Sequence, residues 1–186
     1  MYILASKSPR RKELMKKITS DFSICVADID ESISYSLPTP LESTMDIAKR
    51  KGEIIVKHHK DDIVISADTI VVLDNEILGK PKDEDDAYRM LKRESGKKQI
   101  VISGYTYIGK GVEVNRSVAT EVHFNELTDE EIWSYIKKYQ PLDKAGSYGI
   151  QDEAGLIKSI VGSYDNVMGF PTEDIKIHVF NRYYQK

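Results

Sequence analysis

The sequence opens with Tyr2-Ile3-Leu4-Ala5-Ser6-Lys7-Ser8-Pro9-Arg10-Arg11, an apolar run followed by serines, a proline and two arginines. The apolar run predicts a strand. Ser8 and Pro9 predict the start of a helix, because serine caps helix N-termini and proline suits the first helical position. Free main-chain N–H groups at a helix start, with hydroxyls and guanidinium groups beside them, can bind a polyphosphate. An ordinary capped helix with solvated arginines has the same pattern, so this stretch alone leaves the ligand open.

Length and composition favour one domain with a core. The chain has 186 residues, of which 40% are hydrophobic and 31% charged. Its net charge of −3 does not favour nucleic acid polymers, so a phosphate ligand is expected to be small and locally bound. The single cysteine, Cys25, excludes an internal disulfide framework and suits a reducing compartment. Since no apolar run is long enough for a signal peptide or a membrane span, we expect one cytoplasmic domain over residues 1–186, without a membrane partner.

Further helices are predicted from their N-cap residues. Thr39-Pro40-Leu41-Glu42 and Thr128-Asp129-Glu130-Glu131 have the capping-box pattern. Asp83 caps another helix, whose acidic first turn suits the positive end of the helix dipole, and a last helix is expected after Pro171. The Thr39 helix is predicted to reach about His58 with a buried stripe. That stripe consists of Leu41, Met45, Ala48, Gly52 and Ile55.

Strands are predicted from alternating and continuous apolar runs. The segment 22–26 alternates, which places Phe22, Ile24 and Val26 on one buried face. Two continuous runs, 63–67 and 69–73, are typical of buried strands, and Asp68 interrupts them. Gly109-Lys110-Gly111 predicts a hairpin turn between two long strands. Strands and helices together predict a mixed α/β fold.

Asp68 is the most anomalous charge in the chain. A carboxylate between buried strand segments is costly unless a cation, a metal or hydrogen bonds compensate it, so we expect a functional role. Lys80 lies on the connection after the following hairpin, where a cation would have a partner. Glu31 follows a strand and suits either a cleft or a solvated turn. Lys51 lies beside the apolar stripe of its helix, where its stem could simply cover the edge of the core.

Several familiar sites are not indicated. The histidines lack metal-ligand spacing, and Cys25 has no histidine that would mark it as a nucleophile. Neither a Walker A pattern nor a GxGxxG pattern occurs. The remaining cations and two carboxylates, Glu31 and Asp68, are the groups that phosphoanhydride hydrolysis requires to hold phosphate oxygens, a metal and water. Their spacing alone does not show that they meet.

Six segments match a motif series from residue 3 to about Pro171. They are Leu4-Ala5-Ser6-Lys7-Ser8-Pro9-Arg10-Arg11, Ala48-Lys49-Arg50-Lys51, Ala67-Asp68-Thr69, Gly79-Lys80-Pro81, Ser95-Gly96 and Asp143-Lys144-Ala145-Gly146-Ser147-Tyr148-Gly149-Ile150-Gln151. The series resembles that of the Maf family of nucleoside triphosphate pyrophosphatases. The resemblance implies an ITPase-like fold, in which a long twisted mixed β-sheet with flanking helices forms two lobes around a central cleft. It also implies Mg²⁺ or Mn²⁺ as cofactor and is compatible with a homodimer.

The resemblance implies roles for the matching residues. Asp68 would orient or deprotonate the attacking water, and Glu31 would bind the metal together with Asp68. Lys51 and Lys80 would neutralise charge as water attacks the α phosphorus. The residues assigned to substrate binding are Ser6, Ser8, Arg10, Arg11, Thr69, Lys144 and Gln151.

Ala67-Asp68-Thr69 and Tyr148-Gly149-Ile150-Gln151 resemble the branch of the family that acts on dTTP, UTP and modified pyrimidine triphosphates. The chain departs from the family pattern at Gln99, where histidine is common, at Ser103, where threonine is common, and at Phe170, where leucine is common. The first two departures bear on substrate preference more than on reaction type. A second hypothesis is a nucleotide-binding regulator of cell division with little catalysis, a role that the name of the family reflects.

Overall fold

The computed structural model describes residues 1–32, 34–152 and 154–183. Its strands are β1 (Tyr2–Leu4), β2 (Phe22–Ile24), β3 (Ile63–Leu73), β4 (Glu76–Leu78), β5 (Lys98–Gly109), β6 (Val112–Phe124) and β7 (Ile157–Val161). Its α-helices are α1 (Pro9–Met15), α2 (Pro40–Val56), α3 (Glu84–Glu94), α4 (Asp129–Tyr139), α5 (Tyr164–Val167), α6 (Thr172–Ile175) and α7 (Asn181–Tyr183), with a π-helical segment at Lys176–Phe180.

The predicted helix starts are confirmed. Ser8, Thr39, Asp83 and Thr128 are the N-caps of α1 to α4, and each side chain accepts a main-chain N–H of the first turn. Both threonines form complete capping boxes with the glutamate three residues later. Short polar side chains therefore satisfy N–H groups that a helix start leaves free, which is why the starts could be predicted locally.

The strands pair into one mixed sheet. Their order is β2-β1-β3-β5-β6-β7, and β4 pairs with β3. Strand β1 is parallel to β2 and β3, with Tyr2 opposite Phe22 and Ile63, whereas β3 with β4 and β6 with β7 are antiparallel. The predicted mixed α/β class is confirmed.

The chain forms two compact units. The first comprises residues 1–69, 102–118 and 165–186, and the second comprises residues 70–101 and 119–164. The expectation of a single domain with a cleft between two lobes stays a prediction.

The first unit has a core between its strands and helices. Strands β1, β3 and β5 contribute one side of it, and α1, α6 and the segments around them contribute the other. The buried members are Leu4, Leu14, Met15, Ile63, Ile65, Ala67, Tyr105, Tyr107, Phe170, Ile175 and Val179. This core fixes the carboxyl end of β1 against the start of α1, where the serine and arginine motif lies.

The second unit buries the apolar faces of α3 and α4. Ala87 and Leu91 of α3 and Ile132 and Ile136 of α4 are fully buried. Trp133 of α4 is half-buried, and its ring stacks on that of Tyr88 with 4.9 Å between the ring centroids.

Three sequence-based expectations about packing are wrong. Asp68 does not interrupt two strands, because β3 is continuous from Ile63 to Leu73. In β2 and the residues after it, Ile24 and Val26 are 43% and 52% exposed, since β2 is an edge strand with only one neighbour. Leu41, predicted in the buried stripe of α2, is 43% exposed.

None of the helices in the described ranges is both long and apolar enough to cross a membrane.

Candidate active site

The serine and arginine motif forms a tight turn between β1 and α1. Ser8 accepts the main-chain N–H of Arg11 at 3.4 Å, and Ser6, which is buried, accepts the N–H of Ser8 at 3.2 Å. Pro9 occupies the first turn of the helix. The predicted capped start is therefore present. Because both serine hydroxyls accept N–H groups of this turn, its conformation is fixed before any ligand binds.

Arg11 is held by three oxygens of the protein. Its Nε donates to the main-chain oxygen of Gly169 at 2.8 Å, its Nη2 to Thr69 Oγ1 at 3.1 Å and its Nη1 to Ser6 Oγ at 3.4 Å. Burial lowers the pKa of Arg11, and the negative charge of Asp68 acts in the opposite direction. A guanidinium group has five N–H donors; three of those of Arg11 are used by described residues, and the other two have no acceptor among these residues and can meet a ligand.

Lys51 joins the two carboxylates that the sequence singled out. Its Nζ lies 2.6 Å from Glu31 Oε1 and 3.0 Å from Asp68 Oδ1. The side chains of Lys51 and Asp68 are only 14% and 10% exposed, whereas that of Glu31 is 39% exposed. The hypothesis that Lys51 merely covers the edge of the core is wrong, since its ammonium group compensates the buried charge of Asp68.

Close packing of α2 on β3 places Lys51 beside Asp68. A Cβ atom on Gly52 would lie 2.9 Å from Ser66 Oγ, so only glycine allows this approach without a shift. The Ser66 hydroxyl donates to the main-chain oxygen of Ala48 at 2.5 Å. These contacts join one turn of α2 to the strand two residues before Asp68.

The loop that carries Glu31 is fixed to α2 by Arg50. The guanidinium group donates to the main-chain oxygen of Asp30 at 2.8 Å and to Ser34 Oγ at 2.9 Å. Ser34 is fully buried and donates to Asp46 Oδ2 at 2.6 Å. Glu31 is therefore positioned by contacts on both sides of it in the sequence, although it lies in a loop.

Only one carboxylate oxygen of Asp68, Oδ1, is bound by Lys51. Its Oδ2 is buried and has no hydrogen-bonding partner among the described residues. An unpartnered carboxylate oxygen is costly in a protein interior, so a group that arrives with the ligand is expected to satisfy it. A water molecule or a divalent cation meets this requirement.

Tyr35 is a neighbour of the site that the sequence did not reveal. Burial raises the pKa of its hydroxyl, and Asp68 and Glu31 raise it further, with a hydrogen bond to Glu31. The residue lies in a serine-rich stretch that resembles a linker, and no local pattern marks it. Its position follows only from the folding of this loop toward the carboxylates.

The remaining predicted residues belong to the second unit. Lys80 is exposed, and Lys144, whose side chain is 12% exposed, pairs with Asp143 at 2.9 Å. Gln151 has a buried Oε1 without a partner among the described residues. Their part in substrate binding stays a prediction, and so does that of Arg10, which is half-buried in the first unit.

A buried polar cluster includes one residue of the loop that carries Lys144 and Gln151. It consists of Glu94, Gln99 and Tyr148, whose terminal polar atoms find no hydrogen-bonding partner in the described part of the chain. Burial raises the pKa of Glu94 well above its usual range. Of these three, the sequence marked Gln99 as a departure from the family pattern and Tyr148 as part of the last motif, whereas nothing marked Glu94.

Comparisons with known proteins identify the family of the chain. The family model for Maf-like proteins matches residues 1–179. The chain belongs to the Maf family. It is 45% identical to the dTTP/UTP pyrophosphatase of Thermococcus onnurineus over 174 residues, which are 93% of each chain. It is 46% identical to that of Thermococcus gammatolerans over 176 residues, covering 94% of this chain and 93% of the relative.

Among solved structures, that of the Ham1 protein of Staphylococcus aureus aligns with this chain with a TM-score of 0.49 and 13% sequence identity. The alignment covers 67% of this chain and 72% of the Ham1 chain. The proposals for this Maf chain rest on its sequence relatives and on its own geometry.

Proposed function

We propose that this Maf chain is a nucleoside triphosphate pyrophosphatase that acts on dTTP, UTP and modified pyrimidine triphosphates. The observation that carries the proposal is the group of Glu31, Lys51 and Asp68, which lies in the same unit as the half-buried Arg11. Relatives that share about 45% of the sequence over nearly its full length are named dTTP/UTP pyrophosphatases. The products are a nucleoside monophosphate and pyrophosphate.

The phosphate chain is bound by the turn before α1. The two N–H groups of Arg11 that no described residue accepts, together with the side chain of Arg10, offer donors to phosphate oxygens. Lys51 supplies a further positive charge, and Lys80 is proposed to do the same. These cations offset the charge that accumulates on the phosphate oxygens in the transition state.

Asp68 acts on the attacking water. Its free Oδ2 accepts a hydrogen bond from the water, while Oδ1 is held by Lys51 at 3.0 Å. The water oxygen forms a bond to the α phosphorus, the bond from that phosphorus to the bridging oxygen breaks, and pyrophosphate leaves. One proton of the water passes to the carboxylate of Asp68 and from there to solvent.

A divalent cation fits the carboxylates of this site. The described residues contain no group of three or more His, Cys, Asp or Glu side chains that could hold a metal alone. Two carboxylates together with substrate phosphates are, however, an ordinary ligand set for Mg²⁺, and the unpartnered Oδ2 of Asp68 is a suitable donor. We propose that Glu31 and Asp68 hold Mg²⁺ or Mn²⁺, which would supply Lewis-acid polarisation of the phosphoryl oxygens.

The nucleoside is proposed to contact the loop of the second unit. Lys144 and Gln151 offer a cation and an amide there, and Thr69 follows Asp68 directly in β3. A cytoplasmic location and a homodimer are further proposals, supported by the lone cysteine and by the family resemblance.

Incubation in H₂¹⁸O tests the bond assignment. Wild-type protein, Mg²⁺ and a panel of nucleoside triphosphates are followed by phosphorus NMR and mass spectrometry. We expect pyrophosphate from dTTP and UTP, with the label in the monophosphate, because water attacks the α phosphorus. Label in pyrophosphate, or recovery of nucleoside diphosphate with orthophosphate, would overturn the assignment.

A further inference from the structure

A line of hydroxyl groups is hydrogen-bonded to the guanidinium group of Arg11. Arg11 Nη2 donates to Thr69 Oγ1 at 3.1 Å, Thr69 Oγ1 lies 2.8 Å from Ser103 Oγ, and Ser103 Oγ donates to the main-chain oxygen of Asn166 at 3.0 Å. Ser103 is fully buried. We call Thr69, Ser103 and the Asn166 carbonyl the hydroxyl chain.

Proton counting gives the hydroxyl chain a direction. Each hydroxyl has one proton, and Ser103 uses its proton on the Asn166 carbonyl. Thr69 must then donate to Ser103, because the single proton of Ser103 is already used. Donation therefore runs from the guanidinium group through both hydroxyls to a carbonyl, an order in which each bond polarises the next. The alternative acceptor for Thr69, the Gly169 carbonyl, is more distant, at 3.3 Å.

Gly169 closes the other side of the guanidinium group. Its carbonyl accepts from Arg11 Nε at 2.8 Å, and its φ of +107° is one that a side chain rarely tolerates. A Cβ atom here would lie 3.3 Å from Thr69 Oγ1 and 3.8 Å from Arg11 Nε. The backbone of this segment therefore approaches Arg11 closely. The carbonyl of Asn166 accepts from the end of the hydroxyl chain, and the carbonyl of Gly169 accepts from Arg11 Nε.

We propose that Ser103 is a positioning residue that acts through Thr69 to fix the plane of the Arg11 guanidinium group toward the triphosphate. This inference rests on the proposed function in one respect: the ligand that Arg11 meets is a nucleoside triphosphate.

Equilibrium binding of a substrate analogue tests the positioning role without turnover. The probe is α,β-imido-dUTP with Mg²⁺, in which the bond between the α and β phosphorus atoms resists hydrolysis, and the readout is calorimetry. Ser103→Ala removes the hydroxyl that receives the Thr69 proton. We expect about three- to tenfold weaker binding, the range for loss of one hydrogen bond.

Thr106→Ala is the matched control. Thr106 lies on the same strand, is fully buried, and hydrogen-bonds the Asn115 side chain at 3.0 Å, with no contact to Arg11. We expect its binding to stay within about twofold of wild type. Thermal melting of both variants shows whether the two substitutions, each of which removes a buried hydroxyl, lower the melting temperature by similar amounts.

A double-mutant cycle with Arg11→Lys separates positioning from a general structural effect. Lysine has no planar fork to orient, so we expect Ser103→Ala to change binding by less than about twofold in the Arg11→Lys background. Equal weakening in both backgrounds, or no weakening in wild type, would overturn the proposal. So would unchanged binding in Arg11→Lys alone. If wild type binds the analogue but releases no pyrophosphate from dTTP, the proposed function fails and the positioning role stands.

Discussion

Replacement of Lys51 by methionine perturbs the site where its charges are most concentrated. Methionine keeps most of the side-chain length and removes the ammonium group. Asp68, 10% exposed, then loses the cation 3.0 Å from its Oδ1, and its other oxygen already lacks a partner among the described residues. Glu31 loses its contact at 2.6 Å and faces Asp68 without a charge between them.

The expected cost is about 3 kcal/mol in the free energy of unfolding. Removal of one partner from a buried ion pair costs roughly 3 to 5 kcal/mol, because the other charge is left uncompensated. The lower end applies here, since the Glu31 side chain is 39% exposed and can rehydrate. We also expect kcat/KM for dTTP to fall by at least about a hundredfold, the usual effect of losing one donor to developing charge.

Lys49→Met on the same helix is the control. Lys49 pairs with Glu113 at 2.8 Å, but both side chains are well exposed, so we expect a change below about 1 kcal/mol. Urea denaturation of wild type and both variants gives the free energies, and initial rates with dTTP give kcat/KM. Equal destabilisation by the two substitutions, or full activity of Lys51→Met, would refute the reasoning.

Two further predictions concern packing and pH. Gly52→Ala adds a Cβ atom 2.9 Å from Ser66 Oγ, so we expect urea denaturation to show a loss of about 1 to 3 kcal/mol together with reduced kcat/KM as α2 moves from β3; wild-type values would contradict this. Glu94 is fully buried, and burial raises its pKa well above 4.5, so the folded chain keeps a proton that the unfolded chain releases. Wild-type stability attributable to Glu94 therefore falls as pH rises above the unfolded pKa toward the folded pKa. Glu94→Gln lacks this ionisable group, so we expect its melting temperature to rise relative to that of wild type between about pH 5 and about pH 8. A difference in melting temperature that does not change with pH would contradict the raised pKa.

Local chemistry explains which parts of the fold could be predicted. The N-caps Ser8, Thr39 and Thr128 satisfy N–H groups within their own first turn, so three or four residues contain the whole signal. The turn at Lys110 and Gly111 requires positive φ at both residues, which the glycine-rich sequence indicates. Such features depend little on the rest of the chain.

Tertiary partners explain what could not be predicted. The carbonyl that accepts from Arg11 Nε belongs to Gly169, 158 residues away in the sequence. Asp68 lies within a continuous strand because Lys51, from the preceding helix, compensates it. The exposure of Ile24 depends on β2 being an edge strand, a property of the sheet and not of the alternating pattern. The sequence indicated the residue types of the site, and the structure shows which of them meet.

Pyrophosphate release by Asp68→Asn tests the central claim most directly. Asparagine keeps the shape of the side chain and removes the charge and basicity that act on water. With Mg²⁺ and either dTTP or UTP, we expect wild type and the exposed-site control Asp61→Asn to release pyrophosphate, and Asp68→Asn to be slower by at least about a thousandfold while still binding α,β-imido-dUTP. Release by Asp68→Asn within about tenfold of wild type, or nucleotide binding without turnover in all three proteins, would contradict the account.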